Sequence, residues 1–511
     1  MSAWNEGYVN DIDYTYGYYT ELNPNHFIVP FLMSGHEPPK VKVACELGFG
    51  QGLSVNIHSA AQDTKWYGTD FNPSQAQFAQ NLVSISGADA HLVDESFEQF
   101  CSREDLPQFD YIALHGIWSW ISNENQRILV DFIRRKLNVG GVLYISYNTL
   151  PGWSRYAPLR HLMIEHAKIM GTKAVASSEQ VLNSLQFTKR VIESSHNLSQ
   201  EVPNVLKRID TIANQDASYL AHEYFNQYWQ LMYFSEIANE LDHAKLRFVA
   251  GGSYLEEYPA SCFDENQINM LNELSETNLR ETVKDFFLDR QFRKDYWVKG
   301  GKRLNGSQLV EAWDKLRILK ARDLVGDHLE VQGRRGKASI SATFYQPILD
   351  LLDDKNVHTV KSIRGKLPQL DASQLHEMLA ILITLGTVII AQDENVIAKT
   401  EKASQALNQH LFSENVTTQK IFYFASPVTG GGVLVTLVEQ AFLLSCLEGK
   451  DDIDALAQRA WKHLQAGGKC LLKDGQSLQS EQENLDQLSI LAKDFKEKTL
   501  PHLMNLKVIP A

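Results

Sequence analysis

An acidic residue followed by three alternating glycines is the most distinctive chemical pattern in the chain. The run reads Ala44-Cys45-Glu46-Leu47-Gly48-Phe49-Gly50-Gln51-Gly52. Asp70 follows a second apolar segment about twenty residues later, as in proteins that hold a nucleotide at the end of a strand. Alternating glycines let the chain turn tightly and bring backbone amides close to a ligand, and Asp70 would accept hydrogen bonds from two ribose hydroxyls. The pattern predicts a nucleoside-binding loop, and the alternative is a glycine-rich turn without a ligand.

The glycine spacing distinguishes between ligand classes. Dinucleotide-binding proteins use G-x-G-x-x-G, whose third glycine lets a helix N-terminus approach a pyrophosphate. Here the spacing is E-x-G-x-G-x-G, and the Glu46 carboxylate would repel a pyrophosphate. It suits a ligand that carries an ammonium and a sulfonium. The loop resembles motif I of the class I S-adenosylmethionine-dependent methyltransferases, and this resemblance implies S-adenosylmethionine as the cofactor.

Strands must position these residues, and apolar segments that alternate with helical patterns predict them. Besides the strands that lead into the glycine loop and Asp70, segments 90–94, 109–116 and 142–147 are β-rich. Residues 123–138 have apolar side chains at helical spacing. The alternation predicts a doubly wound α/β fold with a parallel, Rossmann-like sheet. Ligands bind such sheets at the carboxyl ends of the strands, where the sequence places Gly48, Asp70, Asp94, His115 and Asn148.

The resemblance to class I methyltransferases implies further cofactor contacts. An acid after the third strand, or its neighbour, would meet the adenine amino group, and an apolar side chain would pack on the ring. A tyrosine of the amino-terminal segment would face the electron-poor carbons of the sulfonium. The cofactor-binding residues implied in this way are Tyr16, Glu46, Gly48, Phe49, Gly50, Gly52, Asp70, Phe71, Asn72, Asp94, Ser96, Phe97 and His115.

Length and composition exclude several function classes. A chain of 511 residues exceeds one hydrophobic core, so about two to four domains are expected. The net charge of −13 argues against nucleic acid or an anionic membrane as the main partner. The amino terminus lacks the features of a signal peptide, no apolar run could span a bilayer, and the five cysteines are scattered. These features predict a cytoplasmic protein without membrane insertion and without a bound metal.

The first three regions of the chain contain the predicted catalytic unit. Residues 1–35 are rich in tyrosine and form an arm that packs on the sheet or closes as a lid over the cofactor. Residues 36–155 form the Rossmann-like core. Residues 156–300 form a helical insertion and a middle domain, in which 216–255 could complete the sheet, whereas 262–300 have a helical, charge-mixed pattern.

The last two regions are predicted to recruit or contact other proteins. Residues 301–400 contain three helical patterns followed by a strand, which is typical of a winged helix, with Asp371 as the N-cap of the third helix. That helix, residues 371–386, contains no lysine or arginine, so it could neither neutralise phosphates nor contact guanine. We therefore expect no nucleic-acid binding. Residues 401–511 form a C-terminal domain.

Three aromatic segments, residues 14–24, 115–120 and 146–153, narrow the resemblance. They are similar to segments of a bacterial group of class I methyltransferases with an attached methyltransferase regulatory domain, a group similar to rickettsial protein-lysine methyltransferases. The resemblance implies a protein amine as the acceptor and aromatic substrate contacts after strands four and five. The candidate substrate residues are Trp118, Trp120, Tyr147 and Trp153, although each tryptophan could equally belong to the core.

Methyl transfer to an amine is an in-line displacement, for which the protein supplies orientation, desolvation and a deprotonated nucleophile. His115, Tyr147 and Asn148 are the candidate catalytic residues. His115 could take the amine proton, directly or through water, or it could orient the cofactor by a hydrogen bond. Tyr147 and Asn148 could hold the acceptor through a hydroxyl and an amide.

The sequence therefore predicts an N-methyltransferase whose acceptor is a lysine amine of a protein. The fourth strand is not followed by the Asn/Asp-Pro-Pro-aromatic sequence of enzymes that methylate nucleic-acid bases or glutamine amides. Two alternatives stay open: methylation of a small molecule or saccharide precursor, and a non-catalytic Rossmann scaffold. A homodimer is compatible with either.

Overall fold

The computed structural model describes residues 16–170, 177–195, 207, 209–210, 226, 228–252, 254–255, 258–321, 328–333, 336–341, 344–473 and 476–510. The first fifteen residues of the predicted arm, with Tyr8 and Tyr14, lie outside the described residues, and so does the segment 219–225. No helix within the described ranges combines the length and the apolar character needed to cross a bilayer.

A seven-stranded sheet forms the centre of the amino-terminal half. Its first five strands are β1 (Val43–Leu47), β2 (Lys65–Thr69), β3 (Ala90–Val93), β4 (Phe109–Leu114) and β5 (Leu137–Asn148). These strands run parallel in the order β3-β2-β1-β4-β5. The predicted doubly wound parallel sheet is therefore confirmed, and the carboxyl ends of its strands meet at one edge.

Two further strands complete the sheet, and one of them lies where a helix was expected. β7 (Phe292–Val298) is antiparallel to both of its neighbours, β5 and β6 (Arg247–Gly251). The segment 245–250 correctly predicts β6. The helical pattern over 262–300 predicts a helix where the structure has β7, so the prediction is wrong for that part of the segment. Arg293 and Asp295 occupy buried positions of β7, so this strand lacks the apolar alternation by which strands are recognised.

Helices cover both faces of the sheet. One face packs against α1 (Ile28–Met33), α2 (Leu53–Ala61) and α3 (Pro73–Ser86), and the other against α4 (Phe97–Ser102) and α5 (Asn123–Lys136). Along β1, Ala44 faces the first group and Cys45 the second, as the alternation of a strand requires. α5 ends two residues before the predicted position 138, and Gly140 and Gly141 belong to β5 instead of ending the helix.

The segment between β5 and β7 is largely helical. Its helices are α6 (Leu150–Trp153), α7 (Ala157–Met170), α8 (Ser177–Ser194), α9 (Phe234–Asp242), α10 (Pro259–Cys262), α11 (Glu265–Glu273) and α12 (Thr277–Phe287). α9 joins the second face of the sheet through Phe234, Ile237 and Leu241, which are buried.

The next unit combines a small sheet with helices. Its elements are α13 (Gly306–Asp314), β8 (Arg317–Lys320), β9 (His328–Gly333), β10 (Gly336–Ser341), α14 (Gln346–Leu351), β11 (His358–Thr359), α15 (Val360–Lys366), α16 (Ala372–Thr384) and β12 (Val388–Ala391). β8 lies between β11 and β12 in a three-stranded sheet. The predicted cap is present, because Asp371 Oδ1 accepts a hydrogen bond from the Gln374 amide at 2.8 Å. The winged-helix assignment stays a prediction.

The C-terminal unit packs directly on the Rossmann-like core. It contains α17 (Glu394–Thr418), β13 (Tyr423–Ser426), β14 (Gly431–Leu434), α18 (Leu437–Leu447), α19 (Ile453–Ala466), β15 (Leu472–Lys473), β16 (Gln476–Ser477), α20 (Glu481–Asp494) and α21 (Leu500–Asn505). α17 lies against α2 and α3, and the Ser404 hydroxyl donates to the Ala60 carbonyl at 3.0 Å. The two halves of the chain therefore share a buried boundary.

Candidate cofactor site

A cavity opens at the carboxyl ends of β1, β2 and β4. It encloses about 910 Å³ of space free of atoms, its mouth included, which is the size of a small-molecule site. The residues that line it are Gly17, Tyr19, Glu46, Gly48, Phe49, Gly50, Ser54, Asp70, Phe71, Asn72, Gln75, Glu95, Phe97, His115, Gly116, Ile117, Trp120 and Ile121. The structure thus brings together most of the residues that the sequence indicates for a cofactor.

The glycine loop forms the floor of this cavity. Gly48 has a φ of 75°, and a Cβ there would lie 2.7 Å from Cγ2 of Ile117, so only glycine leaves space at this position. Gly52, in contrast, does not line the cavity. A Cβ on Gly52 would lie 2.5 Å from Cβ of Ala79, so this glycine allows α2 to pack closely on α3.

Asp70 holds the loop in place and still faces the cavity. Its Oδ2 accepts a hydrogen bond from the Gly50 amide at 2.8 Å, and its Oδ1 accepts one from the Asn72 amide at 3.0 Å. Burial raises the pKa of Asp70 to about 6, although both amide hydrogen bonds act in the opposite direction. Each carboxylate oxygen has a second lone pair, so the side chain keeps acceptor capacity for a ligand.

Glu46 is the most unusual ionisable group of the site. Its side chain is 3 % exposed, and Oε2 has no hydrogen-bond partner among the described residues. Burial, with a smaller contribution from the charge of Asp70, raises the pKa of Glu46 to about 8. A buried acceptor without a partner is costly unless something else satisfies it, so Glu46 is arranged for a donor or cation from outside the chain.

The acidic side chains Glu46, Asp70 and Glu95 line the cavity, whereas no lysine or arginine lines it among the residues described. Glu95 also pairs, at 3.2 Å, with Arg103, which lies outside the lining. The other ionisable side chains of the lining, among the described residues, are those of Tyr19 and His115. Burial lowers the pKa of His115 to about 4, so its imidazole is neutral at pH 7. The wall therefore favours a cationic ligand.

His115 is held between two tyrosines. Its Nδ1 lies 2.9 Å from the Tyr144 hydroxyl, and the Tyr19 ring packs on the imidazole with 3.9 Å between ring centroids. Since a base with a pKa of about 4 has little affinity for a proton, this arrangement suits a hydrogen-bonding group better than a general base.

Several of the predicted cofactor residues lie next to the cavity instead of lining it. Tyr16 packs edge-on against Phe78 at 5.3 Å, and its place in the cavity wall is taken by Tyr19. Asp94 is exposed to solvent, and the following residue, Glu95, faces the cavity. Ser96 caps α4 by accepting from the Gln99 amide at 3.2 Å. Asn72 lines the cavity, and its side chain also caps α3.

The predicted substrate and catalytic residues after β4 and β5 need correction. Trp118 is fully buried in the core and donates to the Met232 sulfur at 3.3 Å, so it does not face a substrate. Tyr147 is 1 % exposed, and its hydroxyl donates to Asp295 Oδ2 at 2.8 Å. Asn148 is buried, with its backbone amide on Ser119 Oγ, and is not part of the lining.

Two of the predicted tryptophans form an aromatic group that begins at the cavity. Trp120 lines the cavity and stacks near Trp229, with 6.4 Å between centroids, and Trp153 meets Trp229 edge-on at 5.2 Å. The guanidinium of Arg160 lies 4.6 Å from the Trp229 ring and 5.9 Å from the Trp120 ring. Neither Arg160 nor Trp229 lies in a recognisable motif, so sequence analysis does not single them out.

Comparison with known proteins shows which proteins this chain is similar to. Residues 216–299 match the family described as "predicted methyltransferase regulatory domain". An uncharacterized protein of Synechocystis is 34 % identical over 99 % of this chain and 100 % of its own length, and one of Rickettsia prowazekii is 24 % identical over 94 % and 90 %. The structure of PKMT2 from Rickettsia typhi in complex with AdoHcy is 17 % identical, with a TM-score of 0.65 over 96 % of this chain and 98 % of that one.

The fold is that of a class I methyltransferase, as the likeness to PKMT2 shows. The chain belongs to the same family as the Synechocystis protein, which aligns along its full length, and residues 216–299 match the methyltransferase regulatory domain.

Proposed function

We propose that the cavity binds S-adenosylmethionine and that the enzyme transfers the methyl group to a lysine amine of a protein. The observation that carries the cofactor assignment is the unpartnered Glu46 carboxylate in a cavity whose wall is acidic. S-adenosylmethionine brings an ammonium and a sulfonium, and the sulfonium makes the methyl group ready for displacement. A buried acidic wall would stabilise both charges.

The lining residues divide into three contacts with such a ligand. Asp70 would accept hydrogen bonds from the ribose hydroxyls through its remaining lone pairs. Glu95 would meet the adenine amino group, because its Oε2 is buried without a hydrogen-bond partner among the described residues, while Phe97 would pack on the ring. Glu46 would pair with the ammonium of the methionine part. The glycine loop would let the ligand approach the backbone.

His115 would orient the ligand and exclude water. Its pKa of about 4 is far below that of a lysine ammonium, ordinarily about 10.4, so it would be a poor acceptor for the proton of the substrate. We therefore assign it the positioning role among the two that the sequence leaves open. The Tyr144 hydroxyl and the Tyr19 ring fix the imidazole for that role.

The acceptor assignment is supported by the aromatic group that begins at the cavity. Trp120 lines the cavity and offers its ring to an alkyl chain and a methylated ammonium, while Trp229 and Trp153 pack beside it. The Arg160 guanidinium already lies over two of these rings, so this surface accommodates a cation. The resemblance to rickettsial protein-lysine methyltransferases supports the same acceptor.

The cofactor assignment is tested by calorimetry on the full chain. S-adenosylmethionine and S-adenosylhomocysteine should both bind to the wild type, whereas Glu46→Gln should bind the sulfonium ligand much more weakly. Gly365→Ala is the matched control, because Gly365 lies in α15 and an added Cβ would meet nothing within 4 Å. A folded wild type that binds neither ligand would support the scaffold alternative instead.

The acceptor assignment is tested with methyl-labelled cofactor and an extract from cells that lack the enzyme. Label should remain with protein and be recovered as methyllysine after hydrolysis, and it should be absent with Glu46→Gln. Label recovered in the small-molecule or saccharide fraction would show that the acceptor belongs to that class and is not a protein lysine. Label recovered as a methyl ester would contradict N-methylation.

A further inference from the structure

The described part of the arm, residues 16–25, contacts both the cofactor cavity and the C-terminal unit. Gly17 and Tyr19 line the cavity, whereas Tyr18, Asn23 and Asn25 contact a hairpin made of β13, β14 and the turn between them. We call residues 423–434 the glycine hairpin, because Gly430, Gly431 and Gly432 follow one another in it.

Tyr18 makes the central contact. Its hydroxyl accepts a hydrogen bond from the Gly432 amide at 2.7 Å and lies 3.2 Å from Nε2 of His58. Its ring packs on Tyr423, with 4.8 Å between centroids. The side chain is only 8 % exposed, because the C-terminal hairpin and α2, whose His58 ring lies 5.3 Å from the Tyr18 ring, together enclose it.

A second contact runs through amide side chains. Gln62, just after α2, donates from Nε2 to Asn23 Oδ1 at 2.7 Å and to the Gly430 carbonyl at 2.6 Å. Asn25 donates to the Thr429 carbonyl at 3.2 Å. The core, the arm and the hairpin are therefore joined by one hydrogen-bonded group.

Only glycine fits at the hairpin tip. A Cβ on Gly431 would lie 2.7 Å from the Tyr18 hydroxyl and closer still to Nδ2 of Asn23, and one on Gly432 would lie 2.9 Å from the Tyr18 ring. Asn23 cannot move freely, since its Oδ1 is held by Gln62 and by the Asn25 amide. The three glycines thus permit a backbone-to-arm approach that any side chain would prevent.

Tyr18 and Tyr19 face opposite sides because the arm is extended there. Tyr19 has φ −120° and ψ 110°, a conformation in which successive side chains alternate. While Tyr18 enters the hairpin, the Tyr19 amide donates to Ser54 Oγ at 3.0 Å, and its ring covers His115 in the cavity. A shift of Tyr18 therefore moves the neighbouring residue that closes the cavity.

We propose that the glycine hairpin of the C-terminal unit positions Tyr19 over the cofactor cavity and so determines how tightly the cofactor is held. Tyr18, Gly431 and Gly432 are positioning residues in this arrangement. The inference rests on the proposed function, because it requires the cavity to be the cofactor site. The arm has a second anchor, since the Tyr296 hydroxyl donates to the Glu21 carbonyl at 2.7 Å, so loss of the hairpin contact loosens the arm at Tyr18 without releasing it entirely.

The experiment compares S-adenosylhomocysteine affinity by calorimetry in full-length variants. Gly431→Ala should raise Kd about five- to tenfold, a change of about 1–1.4 kcal/mol, and Tyr18→Phe about threefold. Gly365→Ala, which adds the same methyl group in open space, should leave Kd within about twofold. Melting of the ligand-free variants establishes that each is folded.

A double-mutant cycle separates positioning from general destabilisation. Tyr19→Ala removes the side chain through which the hairpin acts, so Gly431→Ala should have no further effect on Kd in that background. An equal loss of affinity in both backgrounds overturns the proposal, and so does a wild-type Kd in both Gly431→Ala and Tyr18→Phe. If Gly431→Ala does not fold, Tyr18→Phe and its combination with Tyr19→Ala decide. A wild type that binds no ligand would refute the proposed function itself.

Discussion

Two groups of buried acids lie on the same sheet and differ in what neutralises them. In the cavity, Glu46 and Asp70 have no cationic partner among the described residues. Between β7 and α12, Glu281, Asp285 and Asp295 surround Arg293, whose side chain is fully buried and lies 3.1, 2.6 and 2.8 Å from them.

The difference indicates which acids have a function outside the fold. Paired charges neutralise one another and hold two elements together, so they create no demand for a charged ligand, although Asp285 Oδ2 is buried without a hydrogen-bond partner among the described residues. Unpaired acids at a cavity wall raise the free energy of the empty protein and gain when a cation arrives. The shifted pKa of a buried acid in this protein therefore indicates a functional site only after the cations that pair with the acid have been taken into account.

The largest expected effect is on the paired group. Arg293→Met removes the cation that the three acids share, although Glu281 keeps Lys284 at 2.5 Å and Asp285 keeps Arg290 at 3.2 Å. We expect the unfolding free energy to fall by about 3–5 kcal/mol, measured by denaturant titration. The control is Arg247→Met in the adjacent strand, where the arginine pairs with Asp242 in solvent and should matter by less than about 1 kcal/mol. Equal losses for the two variants would contradict the comparison.

The next effect is on the unpaired group. Asp70→Ala should weaken cofactor binding by about 2–4 kcal/mol, because the ribose loses charge-assisted hydrogen bonds and the Gly50 amide loses its acceptor. Calorimetry on the folded variant measures it, with Asp89→Ala at an exposed position as the control. Wild-type affinity in Asp70→Ala would remove this residue from the site.

A smaller effect follows from the protonation of Glu46. The pKa of Glu46 is about 8 in the folded protein and 4.5 ordinarily, so between these pH values the folded state binds more protons than the unfolded state does. The ligand-free protein therefore loses stability as the pH rises from about 5 to 8. Glu46→Gln should remove this slope and be more stable at pH 8, by an amount on the order of 2 kcal/mol. Melting curves at several pH values measure this, with exposed Glu124→Gln as the control.

The same carboxyl group makes cofactor binding pH-dependent. A cation must displace the proton of Glu46 below about pH 8, so affinity should increase from pH 6 to pH 8 in the wild type and stay flat in Glu46→Gln. A pH profile that is identical in both proteins would show that Glu46 does not meet the cation.

The smallest effect concerns Tyr147. Tyr147→Phe removes one hydrogen bond to Asp295 in the paired group, so unfolding free energy should fall by about 1 kcal/mol while kcat/KM stays within about twofold. Denaturation and methyl-transfer assays on the same sample measure both. A large loss of kcat/KM at unchanged stability would return Tyr147 to the acceptor site.

The parallel half of the sheet could be predicted because its strands are apolar and end in glycine or acid, as β1 and β2 do. β7 could not, because Arg293 and Asp295 replace the apolar residues of its buried face, and their neutralisation depends on how the preceding helix α12 packs against the strand. Periodicity detects burial only where burial is apolar.

The sequence locates the residues of the site to within one to three positions and no more closely. The sequence locates strand ends, but the face that each side chain takes depends on the pleat, so the acid at the cavity is Glu95 rather than Asp94, and the tyrosine is Tyr19 rather than Tyr16. Trp118 and Trp120 differ in the same way, since two residues in one turn lie in the core and at the mouth.

The hydrogen bonds from Asn25 to Thr429 and from Gln62 to Gly430 join positions 404 and 368 apart in the chain. At a translation rate of about 5–20 residues per second, the ribosome needs roughly 20–80 s more after the first partner of each pair before the second is synthesised. A nascent chain therefore completes its sheet well before the glycine hairpin contacts the arm beside its cavity. Until the final quarter has emerged, the unfinished chain should hold the cellular methyl donor more weakly than the complete chain does.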